Sequence, residues 1–373
     1  QPQQKMRLAD NIDFVSGAIG GTIIAVSSTV FLALTGRLTG ISGTVENCLV
    51  PSDSSKSWSW TYLAGLFSAG VLFGTDATHA PANVETILAG VLVGFGTRMG
   101  TGCTSGHGIC GLPRLSLRSL VAVGTFMAGG AATAFFKRYI EAHHTFPILI
   151  KEIPLPFFQS LSTSNSTVDI LIPSVVSYVI LFSLLKLKNM TLGKASPSAA
   201  SPSTLMHTLI DHASSFIAAL TFGYGLVKSG MCDSQRVVNF LDFSNPNGWD
   251  PSLMAVMGSG VILNLINFNI LHIGDHQAVT CPLPADHEKA TTMKKSLKMG
   301  SVPENTLIND KLVIGSLIFG MGWGLGGVCP GPAIVNLGAL SPASATFMPS
   351  ILLGITLHEF FKDLFVDKQK KKA

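Results

Sequence analysis

Charged residues are scarce in this chain of 373 residues. Asp, Glu, Lys and Arg make up 12% of it, against about 25% in an average soluble domain. Hydrophobic residues make up 47%, and they form several long apolar runs. Such a composition predicts a polytopic membrane protein. The net charge is only +4, which gives no support for a nucleic-acid partner.

The six cysteines lack the spacing of the common metal and redox motifs. No Cys-x-x-Cys pair occurs, which argues against a zinc finger or a thioredoxin-type site. Soft thiolates can hold copper(I) or zinc, but no Cys-x-His pattern supports such a site here. We therefore expect no metal, no cofactor and no enzymatic activity.

The apolar runs predict an all-α protein with nine membrane spans. Several runs are shorter than the ~20 residues that cross a bilayer, and three short ones lead directly into a loop with Gly and Cys. Interrupted segments of this kind are typical of transporters with re-entrant, broken helices. The predicted spans are 14–35, 58–75, 84–99, 117–136, 168–187, 212–229, 252–272, 312–327 and 346–366.

A Ser- and Pro-rich linker divides the chain into two halves. We predict a polar segment at 1–13, a first half with one extra span at 14–187, the linker at 188–211, a second half at 212–366 and a basic tail at 367–373. The extra span reverses the second half relative to the first, which predicts an inverted repeat with an hourglass shape. The positive-inside rule places the lysine-rich tail in the cytoplasm and the N-terminus outside.

Internal similarity supports this division. Residues 94–103 resemble residues 320–329, and residues 39–43 resemble residues 229–233 more weakly. Loops in corresponding positions of two inverted halves are expected to meet near the midplane of the membrane. The sequence therefore predicts a narrow waist built from four loops.

Three cysteines lie in these loops, namely Cys103, Cys232 and Cys329. Because S–H is a weak donor and sulfur is polarisable, three thiols at a constriction could bind a soft, sulfur-bearing anion. Free Cys is often a small buried hydrophobe, but a polar Gly- and Pro-rich loop favours a functional role. Ser42 aligns with Cys232, which predicts three thiols rather than four. Cys110 could be a further relay thiol or a packing residue.

Other side chains near these loops could also bind an anion. Arg98 ends a short span just before a Cys loop, and ionisable groups inside a membrane are usually functional. Ser105 and His107 lie in that loop, where His107 could assist proton coupling or bond a loop carbonyl. Asn336 follows the second Cys loop and could donate to an anion, or cap or bridge helices. Helix N-termini after the loops would add N–H donors and partial positive charge.

The two Cys loops resemble those of the YeeE/YedE sulfur transport family. The resemblance is carried by Gly-Cys-Thr-Ser-Gly-His-Gly-Ile-Cys-Gly-Leu at 102–112 and by Gly-Met-Gly-Trp-Gly-Leu-Gly-Gly-Val-Cys-Pro-Gly-Pro-Ala-Ile-Val-Asn at 320–336. It implies an hourglass-shaped protein of the lipid bilayer that takes up thiosulfate past a row of cysteines, here Cys103, Cys232 and Cys329. It also implies a small cytoplasmic sulfurtransferase (TusA-like or rhodanese) as a partner.

We therefore expect a plasma- or inner-membrane transporter for thiosulfate. One alternative is a membrane sulfur carrier that forms a cysteine persulfide and passes sulfane sulfur to a cytoplasmic sulfurtransferase. Another is a transporter of a different sulfur or selenium species with the same fold.

Overall fold

The structure is a computed structural model, and it describes residues 14–49, 57–74, 84–143, 202–246, 248–271 and 308–370. Within these ranges the chain forms eleven α-helices and one π-helix, with no β-strand. The all-α class predicted from the sequence is confirmed. The predicted span at 168–187 lies outside the described residues.

Both halves have the same order of helices, which is long, short, long, long, short, long. The first half consists of α1 (Phe14–Thr35), α2 (Ile41–Leu49), α3 (Trp58–Phe73), α4 (Val84–Met99), the π-helix (Thr104–Gly111) and α5 (Leu117–His143). The second half consists of α6 (Pro202–Lys228), α7 (Ser234–Leu241), α8 (Ser252–Asn269), α9 (Asp310–Gly326), α10 (Pro330–Gly338) and α11 (Pro342–Lys370). The four short helices lie where the sequence predicts loops at the waist.

Four segments of the described chain are long and apolar enough to cross a membrane on their own. They are Phe14–Thr35, Leu117–Ile140, Ser252–Asn269 and Asp310–Gly338, the last of which joins α9 to α10. Helices α3 and α4 have 16 residues each, fewer than the ~20 that span a bilayer. The structure thus supports a multi-pass protein with interrupted helices, but it does not confirm the predicted total of nine spans.

The long helices pack mainly against helices of the other half. Helix α1 lies against α6 and α8, α3 against α6, α4 against α9 and α11, and α5 against α9. Exchanging every helix for its counterpart in the other half maps these contacts onto one another. The pair α1 and α8, for example, becomes the pair α6 and α3.

The counterpart helices α1 and α6 run antiparallel to each other. Gly20 lies against Ser229 near the end of α6. The Ser27 hydroxyl donates to the Ala218 carbonyl at 2.6 Å, about two turns further along α1 and about three turns back along α6. Helices α4 and α9 cross in the same antiparallel sense. Any two-fold axis that relates such counterparts is perpendicular to the helices.

Glycines allow the helices of the two halves to approach closely. A Cβ atom at Gly94 would lie 2.0 Å from the Ile351 carbonyl oxygen of α11. A Cβ atom at Gly70 would lie 1.8 Å from the Val335 carbonyl oxygen of α10. Small residues at helix contacts are typical of membrane proteins, where close van der Waals packing holds helices together.

Buried amides attach α8 to α1 and to the π-helix. The Asn264 Oδ1 atom accepts a hydrogen bond from the Thr29 hydroxyl at 2.9 Å, and its Nδ2 donates to the Ile109 carbonyl at 2.8 Å. The Asn267 Nδ2 atom donates to the same Thr29 hydroxyl at 2.9 Å. The bond from Asn264 to Ile109 fixes the π-helix in place, although its Gly-rich sequence has little intrinsic preference for a helix.

Candidate functional site

A small cavity lies where the short helices begin. It is lined by Ile41 at the start of α2, Thr104 and Ser105 at the start of the π-helix, Met231 just before α7, and Cys329 at the start of α10. Its volume of about 10 Å³ is the space of roughly one water molecule. No charged side chain is among its lining residues in the described chain. The remaining lining residues are Ile24, Ile109, Phe222, Leu226, Met257 and Pro332. We call this space the waist cavity.

Cys103 and Cys329 occupy equivalent positions in the two halves. Each is the N-cap of a short helix in an extended conformation, with φ −126° and ψ −168° at Cys103 and φ −105° and ψ 170° at Cys329. Two residues earlier, φ is positive in both halves, at 59° for Thr101 and 66° for Gly327. Thr101 is β-branched and rarely adopts this conformation, and a hydrogen bond from the Arg118 guanidinium at 2.6 Å secures its hydroxyl. The two segments matched in the sequence thus share one local geometry.

Cys232 also lies beside the beginning of a helix. It directly precedes Asp233, the N-cap of α7, whose carboxylate accepts hydrogen bonds from two backbone N–H groups of that helix. The Asn336 Nδ2 atom donates to the Cys232 carbonyl at 2.9 Å and so ties α10 to this loop. Asn336 therefore holds the two thiol-bearing segments of the second half together.

The structure corrects the pairing of Ser42 with Cys232 that the sequence alignment predicts. Gly40 is the N-cap of α2, because its carbonyl accepts the first helical hydrogen bond, from the Thr44 N–H. The residue before the cap, which corresponds to Cys232, is Thr39. Ser42 lies inside α2. Because these short loops are only weakly similar, the sequence alignment matched Cys232 to Ser42, three residues after its structural counterpart Thr39.

Two hydroxyls of the π-helix contact the thiols. The Ser105 Oγ atom lies 3.2 Å from the Cys103 Sγ atom and also accepts a hydrogen bond from the Ile41 N–H at 3.3 Å. The Thr104 hydroxyl donates to the Cys329 Sγ atom at 3.4 Å. Cys103 and Cys329 are 1% and 5% exposed, so these contacts are shielded from solvent.

The three predicted thiols form one cluster. The Cys329 thiol lies within electrostatic range of both the Cys103 and the Cys232 thiols, and of the three it is the one that lines the waist cavity. Cys103 comes from the first half of the chain, whereas the other two come from the second half. The cluster is therefore complete only when both halves are assembled.

Neither Cys110 nor His107 lines the waist cavity, and both bond to neighbouring segments of the chain. The Cys110 thiol donates to the Thr39 carbonyl at 3.6 Å. The His107 Nε2 atom lies 3.2 Å from the Gly100 carbonyl, and its Nδ1 lies 3.2 Å from the Ser119 hydroxyl. Since a carbonyl only accepts hydrogen bonds, Nε2 is the donor. His107 thus links the π-helix to α5 and to the end of α4.

Arg98 lies in an ion-pair cluster on one side of the waist. Its guanidinium is 2.7 Å from the Glu46 carboxylate of α2 and 2.5 Å from the Glu359 carboxylate of α11. His358 lies 3.6 Å from the same Glu359 carboxylate. Two carboxylates offset the positive charge of Arg98, and its side chain does not line the waist cavity. The anion-binding role that the sequence suggests for Arg98 stays a prediction.

Among the residues that line the waist cavity, Thr104, Met231 and Met257 could bear on an anion but were not candidates from the sequence. Thr104 belongs to the Cys-loop motif, but its partner Cys329 is 225 positions away in the sequence. Methionine is a common residue type in apolar cores, so nothing in the sequence marks Met231 and Met257 as site residues. Only the folded arrangement distinguishes them.

Comparison with known proteins places the chain among transport proteins. Residues 10–132 match the family model described as Sulphur transport, and residues 209–371 match a family of unknown function, DUF6691. A "Probable transporter" of Xylella fastidiosa strain Temecula1 is 41% identical over 124 residues, which are 32% of this chain and 90% of that protein. Another "Probable transporter", from strain 9a5c, is 31% identical over 156 residues, which are 41% of this chain and 93% of that protein. These relatives are less than half as long as this chain. The chain is a multi-pass membrane protein that belongs to the sulphur transport family.

Proposed function

We propose that this protein takes up thiosulfate through the waist. Cys329 lines the waist cavity, the thiols of Cys103 and Cys232 lie near the Cys329 thiol, and all three thiols form hydrogen bonds with the ion. The observation that carries the proposal is the position of the three thiols. Two are N-caps of short helices and the third precedes an N-cap, and all three come together at one buried place. Such an arrangement combines soft sulfur groups with the positive ends of helices.

Helix N-termini supply the attraction for an anion in the absence of a charged lining. Each N-terminus carries about half a positive charge and leaves N–H groups without partners inside the helix. In the first turn of α10, Pro330 and Pro332 have no N–H, so Gly331 is the donor nearest to the Cys329 thiol. Such sites bind anions readily.

The lining of the waist cavity favours a soft anion. The sulfur-containing residues Cys329, Met231 and Met257 line it together with aliphatic and aromatic side chains. Sulfur is polarisable, and it gains more from contact with a terminal sulfur of an ion than from a hard oxygen. Thiosulfate has one such sulfur, whereas sulfate has only oxygens. The lining therefore supports thiosulfate as the substrate.

We propose that the two halves form an inverted repeat in the membrane. Antiparallel counterpart helices place the two-fold axis perpendicular to the helices, which is in the membrane plane when the helices cross the bilayer. The short helices then enter from opposite faces, with the N-terminus outside and the C-terminus in the cytoplasm. The ion would meet Cys232 and Cys329 first and Cys103 last, because the first two lie on loops from the outer side.

Transport through this waist requires the short helices to move. A cavity of about 10 Å³ has room for roughly one water molecule, and thiosulfate is several times larger. The described conformation is therefore closed to the ion. Alternation between conformations open to either side is the usual behaviour of transporters built from broken helices.

The burial of the thiols also bears on the alternative of a persulfide carrier. Transfer of sulfur to a separate protein requires a thiol that the acceptor can reach, and reactive cysteines are partly exposed. Cys103 is 1% exposed in the closed conformation. Non-covalent passage of the ion is thus the better supported of the two mechanisms.

Replacement of each of Cys103, Cys232 and Cys329 by Ala tests the proposal. We expect thiosulfate uptake to fall to background in cells that depend on imported thiosulfate, because each change removes one sulfur contact at the waist. Cys48→Ala is the matched control, since Cys48 lies near the C-terminal end of α2, whereas the three thiols lie at the beginnings of short helices, and it is less buried than they are. It should support uptake close to that of the original protein.

Normal uptake by all three variants would overturn the proposal. Mass spectrometry of the protein after exposure to thiosulfate separates the mechanisms. An unmodified Cys103 agrees with non-covalent passage, and a persulfide on Cys103 would favour the sulfur carrier instead.

A further inference from the structure

Thr104 is the first residue of the π-helix, and it joins the two halves of the chain. Its hydroxyl donates to the Cys329 sulfur at 3.4 Å, across 225 positions of sequence. Thr104 is 4% exposed, and both residues line the waist cavity. Thr104 thus brings a hydroxyl from the first half to a thiol of the second half at the narrowest point.

The hydrogen bond that Thr104 makes is a weak one. A thiol sulfur is a poor acceptor, so a buried hydroxyl that donates to it gains less than it would from an oxygen. Hydrogen bonds to a charged group are stronger than those between neutral groups. An anion oxygen beside Thr104 would therefore be a better partner than the sulfur of Cys329.

The neighbouring hydroxyl is less available for such an exchange. The Ser105 oxygen already accepts a hydrogen bond from the Ile41 N–H while it contacts the Cys103 sulfur. The counterpart of Thr104 in the second half is Pro330, directly after Cys329, and proline offers neither a hydroxyl nor an N–H. Of the two hydroxyls that line the waist cavity, that of Thr104 therefore loses less hydrogen-bond energy when it changes partners.

We infer that Thr104 is a further substrate-contacting residue, whose hydroxyl turns from the Cys329 sulfur to an oxygen of the anion when the ion occupies the waist. The inference rests on the proposed function. Release of the sulfur leaves the Cys329 thiol free to contact the terminal sulfur of the ion. Thr104 and Cys329 then bind the two chemically different ends of thiosulfate, oxygen and sulfur.

Thiosulfate uptake by Thr104→Val and Thr104→Ser variants of the full chain tests this inference. Val has nearly the same shape as Thr but no hydroxyl, so we expect the half-saturation concentration for thiosulfate to rise about tenfold or more. Ser restores the hydroxyl and should bring the half-saturation concentration back to within about twofold of the original value. Thr125→Val is the matched control, since the Thr125 hydroxyl bonds within its own helix, to the Val121 carbonyl, and Thr125 does not line the waist cavity. It should leave uptake unchanged.

Binding in detergent provides a second measurement that does not depend on transport. Thiosulfate should raise the melting temperature of the original protein and of Thr104→Ser, and it should have little effect on Thr104→Val. If Thr104→Val does not fold, Thr104→Ala takes its place with the same expectation. An unchanged half-saturation concentration and an undiminished thiosulfate shift in a variant without the hydroxyl would overturn the inference. If the original protein itself neither binds nor takes up thiosulfate, the proposed function fails and this inference fails with it.

Discussion

Arg98 shows how the partners of a charged side chain change its expected role. Its position just before a Cys loop predicts an anion-binding residue, because charges inside a membrane are usually functional. In the structure its guanidinium lies between the Glu46 and Glu359 carboxylates. These pairs connect α2, which carries one wall of the waist, to α11. A role in holding α2 in place follows directly from these contacts.

Arg98→Met separates a structural role from an anion-binding role. Removing one partner of a buried ion pair leaves uncompensated charge, so we expect a loss of about 3 kcal/mol in the free energy of unfolding. The melting temperature in detergent should fall, and the half-saturation concentration for thiosulfate should stay the same in the protein that remains folded. Arg98→Met leaves the Glu46 and Glu359 carboxylates without their cation. The double variant Arg98→Met with Glu359→Gln removes one of these two negative charges and should recover part of the stability. Unchanged stability together with a tenfold higher half-saturation concentration would assign Arg98 to anion binding instead.

The thiols could be predicted from the sequence, whereas their hydrogen-bond partners could not. Cys103, Cys232 and Cys329 stand out because each lies in a Gly- or Pro-rich loop between apolar runs. The contact between Thr104 and Cys329 depends on how two distant segments fold together, and no local pattern reports it. The hydrogen bond from the Cys110 thiol to the Thr39 carbonyl likewise depends on the folded chain.

The short helices carry the site, and the glycines of the long helices position them. Helix α10 bears Cys329 at its N-cap and lies against α3, where the Gly70 backbone approaches the Val335 carbonyl. The contact is so close that no side chain fits between the two backbones. The position of the Cys329 thiol thus depends on a glycine in another helix.

Gly70→Ala tests this dependence. The added Cβ would lie 1.8 Å from the Val335 oxygen, so α10 must shift, and we expect a loss of about 1–3 kcal/mol in stability together with reduced uptake. Gly124→Ala is the matched control, since a Cβ at Gly124 in α5 meets no atom within 4 Å. That change should keep uptake intact and leave stability equal or slightly higher, because Ala favours a helix more than Gly does. Equal behaviour of the two variants would contradict the proposed packing.

The long helices are largely predictable from hydrophobic runs, and the short ones are not. The predicted spans 14–35 and 84–99 coincide with α1 and α4, because apolar sequence of this length has few alternatives in a membrane. The first Cys loop, whose motif spans 102–112, contains a π-helix of eight residues. Its wider hydrogen-bond pattern has no sequence signature, and bonds from other helices, such as that from Asn264 to Ile109, hold it in place.

The whole molecule depends on the interleaving of its two halves. The main partners of each long helix come from the other half, and the thiol cluster takes Cys103 from the first half and Cys232 and Cys329 from the second. The similarity of residues 94–103 and 320–329 predicts a repeat, but hydrophobic patterns cannot show which helices of the two halves touch. A closed waist between the halves, with soft sulfur groups and helix N-termini around it, is the feature from which the proposed uptake follows.

Flux of labelled thiosulfate into liposomes that contain the purified protein tests the central claim most directly. We expect saturable thiosulfate flux with the original protein, little competition from excess sulfate, and background flux with Cys329→Ala. Empty liposomes give the background flux, and liposomes with Cys48→Ala should give the full flux of the original protein. Thiosulfate flux that is absent from the original protein, or equal in the original protein and Cys329→Ala, would contradict the account.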